Sequence, residues 1–74
     1  MERFFMPRKR AIALIVGARN DLLSHAAERI PADAQPLNET AAQLERLLLD
    51  VRAGRINEFE LHHPAHIHVW ISAD

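Results

Sequence analysis

Glu58-Phe59-Glu60-Leu61-His62-His63-Pro64-Ala65-His66-Ile67-His68-Val69-Trp70-Ile71 is the stretch on which the fold turns. Its odd positions hold Phe59, Leu61, His63, Ala65, Ile67, Val69 and Ile71. Its even positions hold Glu58, Glu60, His62, Pro64, His66, His68 and Trp70. Alternation with a period of two marks a half-buried strand. The parity does not change across Pro64, and two geometries respect that. One is a β-hairpin with a short loop at His63-Pro64-Ala65, which pairs Leu61 with Ile67 and Glu60 with His68. The other is one long edge strand that tolerates the proline. A loop of Pro64-Ala65 alone would set Leu61 opposite His68 and mix the faces. Register follows the apolar pattern, so that geometry is rejected. A β segment over about 56–72 follows, with Phe59, Leu61, Ile67, Val69 and Ile71 in the core.

Upstream lies a helix over about 39–53. Ala41, Leu44, Leu47, Leu48 and Val51 recur at helical spacing, while Gln43, Glu45, Arg46 and Asp50 take the wet side. Thr40 and Gln43 have the spacing of a capping box. Arg52 suits the negative end of the helix dipole, and Gly54 supplies the left-handed residue that ends helices. Pro31–Leu37 reads as a linker.

The first thirty residues admit two readings. A helix over about 8–30 would present Ile12, Val16, Leu23, Ala26 and Ile30 as one stripe, and Pro31 would stop it. The competing reading makes residues 10–16 a short buried strand, ended by Gly17, ahead of a shorter helix. The expected fold class is α+β: a small two-helix domain with a C-terminal β-hairpin or long edge strand. The alternative is β-α-α-β.

Seventy-four residues make a single domain. A chain this short buries roughly 60% of its unfolded surface and gains from a staple. It has no cysteine, so disulfides and thiolate metal sites are excluded. An isolated two-stranded hairpin is marginal in water. It needs a further strand, from residues 10–16 or from a second copy, and together with the small size this predicts a homodimer. The net charge of -1 draws the chain to neither nucleic acid nor membrane. Basic residues do crowd the first thirty positions and acidic ones the rest, a polarity that would suit self-association. No apolar run approaches the ~20 residues that span a bilayer, and no cleavage pattern follows Ala11–Val16. The expected setting is cytoplasmic, and Met1 suggests a free-standing chain.

Chemistry is hinted at only in the histidine segment. In the hairpin register Glu60, His62, His66 and His68 share one face, a donor set that suits zinc. The same composition is also what the wet face of any strand looks like, and a flat exposed sheet lacks the outer partners that orient metal ligands. Imidazoles gathered on one face would also make it responsive to pH. Trp70 falls on that polar face, although tryptophan is a favoured interface anchor. Either a helix or Phe4-Phe5 covers it, or Glu58, Glu60, His62, His66, His68 and Trp70 form a partner-binding face. Arg8, Lys9 and Arg10 are candidate phosphate contacts for a DNA-binding regulator. His25 reads as a surface residue on the first helix. No nucleophile grouping or phosphate-cradling loop is present, and the chain offers little room for a substrate pocket. These observations predict a non-enzymatic regulator, inhibitor or adaptor that binds another protein. A zinc-binding protein and a DNA-binding regulator are the alternatives, and the first and third need no cofactor.

Overall fold

A computed structural model of the chain describes residues 2–63 and 65–72. The elements run β1 (Glu2–Met6), α1 (Arg8–Ala27), α2 (Pro31–Arg52), β2 (Glu58–Leu61) and β3 (Ile67–Ile71). The three strands form one sheet in the order β1-β3-β2. The α+β class holds, and the C-terminal segment is a hairpin rather than one long strand. Leu61 pairs with Ile67 and Glu60 with His68, antiparallel, in the register that the parity requires. Pro64, on which the loop reading centres, lies outside the described residues.

The strand that completes the sheet is not residues 10–16. Glu2–Met6 pairs parallel to β3, with Phe4 beside Val69 and Phe5 beside Trp70. Five residues with no clear alternation carry little signal alone. Pro7 then ends the strand in extended geometry, and its carbonyl accepts from the backbone of Arg10 and Ala11. A fixed φ and a missing N–H suit that junction.

Residues 10–16 are helical, as the longer reading of the first block expected. The buried stripe of α1 is Ala11, Ile15, Ala18, Leu22 and Ala26, however, and not the one drawn through Ile12 and Val16. Those two are half-buried, Leu23 is 44% exposed and Ile30 is 65% exposed. Three alanines on the buried side let α2 approach closely. The polypeptide leaves α1 at Glu28, and Ile30 is already extended.

Pro31–Leu37 is not a linker but the first two turns of α2. Pro31 stands at the start of the helix, where its missing N–H costs no bond. Pro36 lies inside, as the sixth helical residue, and leaves the carbonyl of Ala32 without its helical N–H partner. Thr40 therefore caps nothing. It sits in mid-helix, and its hydroxyl donates to the carbonyl of Pro36 at 3.0 Å, the back-bonding habit of helical threonine. Downstream the expected stripe holds: Ala41, Leu44, Leu48 and Val51 are buried and Leu47 is half-buried. Gly54, at φ 74, closes the helix. Its N–H bonds Val51 and that of Arg55 bonds Asp50, the two reversed bonds of a Schellman motif.

The core lies between the helix pair and the odd-numbered face of the hairpin. Phe59, Leu61 and Val69 are buried there with Met6, and Ile67 and Ile71 are half-buried against them. Among the described residues, no helix is long and apolar enough to cross a membrane.

Candidate functional site

The even-numbered face of the hairpin lies opposite the core, and at its β2 edge Glu60 and His62 line a small cavity with Thr40 and Leu47 of α2. Strand register arranges it in two rows. Arg3, His68 and Glu60 form one, and Phe5, Trp70 and Glu58 the other. Beyond the first row, at the hairpin tip, come His62 and His66. Their rings lie 4.5 Å apart between centroids.

Aromatic rings run across the middle of this face. Phe5 stacks on Trp70 with centroids 5.3 Å apart and planes 18° from parallel. His68 stacks against Trp70 at 4.0 Å and 14°. The stack half-buries Trp70, so Phe5 does part of the covering expected of Phe4-Phe5. Phe5 itself remains 76% exposed. An uncovered phenylalanine on a sheet face is unusual surface for so small a domain, because it leaves apolar area in water that a partner would remove.

The charged groups flank the stack. His68 is held from two sides, with Nε2 at 2.5 Å from Glu58 Oε2 and Nδ1 at 3.6 Å from Glu60 Oε1. His66 Nε2 lies 3.2 Å from Glu60 Oε2, and His62 Nε2 lies 4.0 Å from the same oxygen. The hydrogen bond from His66 holds the Glu60 carboxyl below its ordinary value. Desolvation opposes this, and the charges of His66, His68 and His62 add to it.

All six residues expected on the partner-binding face share it. Of the four expected to share a metal ion, Glu60, His62 and His66 each bring a donor atom within 4.8 Å of the others. His68 is not in that group; it lies against Trp70 and Glu58. The three basic candidates do not act as a unit. Arg8 is drawn into the fold, donating to the carbonyls of Val51 (2.6 Å) and Ile56 (3.4 Å) and to Asn57 Oδ1 (2.8 Å). Lys9 and Arg10 remain exposed. Sequence reasoning missed Arg3 as a member of the face and offered Phe5 only as a cover for Trp70. The available signal was faint: a run of Phe4-Phe5-Met6 ahead of Pro7, in a chain whose hairpin lacks a third strand.

A family model described as "Uncharacterized protein BTH_I2711-like" matches residues 2–71. No curated protein and no solved structure matches the chain.

Proposed function

The chain belongs to the BTH_I2711-like family, and we propose that it is a small non-enzymatic regulator, inhibitor or adaptor that acts in the cytoplasm by binding another protein. The observation that carries this reading is the Phe5–Trp70–His68 stack on the uncovered sheet face. Rigid aromatic groups lose little entropy on binding and dominate interface energetics. Glu58, Glu60 and Arg3 border the stack and would select a partner by charge rather than hold it by area. The test compares capture of partners by the wild type, Trp70→Ala, Phe5→Ala and a control, Arg46→Ala, on the exposed side of α2. A partner retained by the wild type and the control, but lost by both aromatic variants at unchanged helical content, supports the reading. Equal capture by all four overturns it.

A second reading is supported by the closeness of Glu60, His62 and His66. These three would hold a zinc ion on the same face, leaving positions for water or a partner's side chain. The DNA-binding reading has less support, since Arg8 is engaged within the fold.

A further inference from the structure

The hairpin tip sends its histidines both ways. His62 and His66 go to the uncovered face, while His63, with odd parity, goes to the helix side. There its Nε2 lies 2.6 Å from Asp21 Oδ2. Its ring also meets the ring of His25 edge-on, with centroids 6.2 Å apart at 86°. Asp21 and His25 are four residues apart on α1, so they stand one above the other on the same face. Each of the three residues offers one donor atom within 4.8 Å of the others.

We propose that Asp21, His25 and His63 form a binding site for a divalent transition-metal ion of the zinc class, which fastens the hairpin tip to α1. Two imidazole nitrogens and a carboxylate are a borderline donor set. It suits zinc, cobalt or nickel, whereas magnesium and calcium want oxygens throughout. Bonds of about 2.0–2.1 Å in a tetrahedral shell place donor atoms about 3.4 Å apart. Asp21 and His25 are exposed, so small rotations of their side chains close the remaining distance. When the ion enters, the hydrogen that His63 Nε2 shares with Asp21 exchanges through solvent to Nδ1. Nε2 is then left with its lone pair for the metal. Three protein ligands leave a fourth position for water.

The placement meets a need of this fold. The chain has no cysteine with which to staple itself, and a domain of this size gains most from a cross-link. The ligands sit 42 residues apart along the chain, so the ion would close a long loop, the kind of loop for which closure matters most. The site is separate from the Glu60, His62, His66 group, which faces the opposite side of the hairpin.

The test is a thermal melt of untagged protein with and without zinc, for the wild type, the double variant His62→Ala/His66→Ala, and that double variant with His25→Ala or Asp21→Asn added. All of these substitutions fall on exposed side chains. Zinc at a hundred times its dissociation constant should raise the wild-type melting temperature by about 10 °C or more. The double variant should keep that rise, His25→Ala added to the double variant should lose it, Asp21→Asn added to it should lose most of it, and magnesium should give none. Cobalt(II) supplies a second readout: its visible absorption bands should appear with the wild type and the double variant and vanish when His25→Ala is added to the double variant. Absence of any wild-type response, survival of the response when His25→Ala is added to the double variant, or its loss in His62→Ala/His66→Ala would each overturn the assignment.

Discussion

The two glycines of this chain have opposite effects. Gly54 holds φ at 74, a conformation that costs an L side chain roughly 1–2 kcal/mol. Gly17 lies exposed in the middle of α1 with nothing within 4 Å of where a Cβ would sit. Its backbone freedom is a loss of roughly 0.5–1 kcal/mol relative to alanine. Gly54→Ala is therefore expected to lower the unfolding free energy by about 1 kcal/mol, and Gly17→Ala to raise it by slightly less. Urea titrations of both variants check the pair, and a shared sign would contradict this account. The sequence distinguishes the two glycines only in part. Gly54 follows a strong helical stripe and precedes a polar turn, so its role is legible. Gly17 follows Ile15 and Val16, which favour strands, and the packing of α1 on α2 overrides that local preference.

At the scale of elements, Arg8 joins the start of α1 to the end of α2. Its guanidinium donates to the carbonyl of Val51, in the last turn of α2, and to Asn57 just before β2. The last carbonyls of a helix lack partners within it, and a cation there also suits the dipole. Arg8→Ala is expected to destabilise the fold by about 1.5 kcal/mol, the low end for hydrogen bonds from a charged group, since the Val51 carbonyl keeps the N–H of Gly54. A change below a few tenths of a kcal/mol in the same urea assay would show that solvent replaces it. Helix boundaries were less legible than helix identities. Two prolines, Pro31 and Pro36, made the first turns of α2 look like a linker. Proline at the first position costs little, because the first N–H groups of a helix have no acceptor to lose, whereas Pro36, the sixth helical residue, forgoes the bond to the carbonyl of Ala32. The apolar stripe of α1 was displaced by about one position for a similar reason. Alanines on the contact side carry less apolar signal than the Ile12, Val16 and Leu23 side chains that border it, yet close helix approach selects the small residues.

For the whole molecule, β1 changes the case for a dimer. A hairpin in need of a third strand argued for a second copy, and the chain supplies that strand itself. What remains is the small size and the position of β1 as an edge strand. Among the described residues, no strand pairs with the side of β1 away from β3, which leaves an edge open to another strand. Beside it lies an apolar groove lined by Phe4, Met6, Leu14 and Ile67. Pairing of two β1 strands would extend the sheet and leave the aromatic face free for another protein. The expectation is a solution mass of twice 8.4 kDa by light scattering at micromolar concentration. It should return to a single chain in Phe4→Lys, and a single-chain mass for the wild type refutes it.

The sequence by itself determined the membership of the two faces of the C-terminal segment, and it narrowed that segment to a hairpin of one register or a single long edge strand. It also determined the helix that ends at Gly54 and the turn there, and it left residues 10–16 open between helix and strand. All of these rest on interactions a few residues long, or on a periodicity of two or 3.6 that any short window records. Tertiary structure decided which segment became the third strand, how far α2 reached, and what lay against Trp70. It also brought His63 to Asp21 and His25 across 42 residues. Those outcomes depend on where the path of the chain returns, and no local pattern encodes that. The stretch from Glu58 to Ile71 states which side of the sheet is apolar. Only the packed molecule brings Phe5 onto the other side.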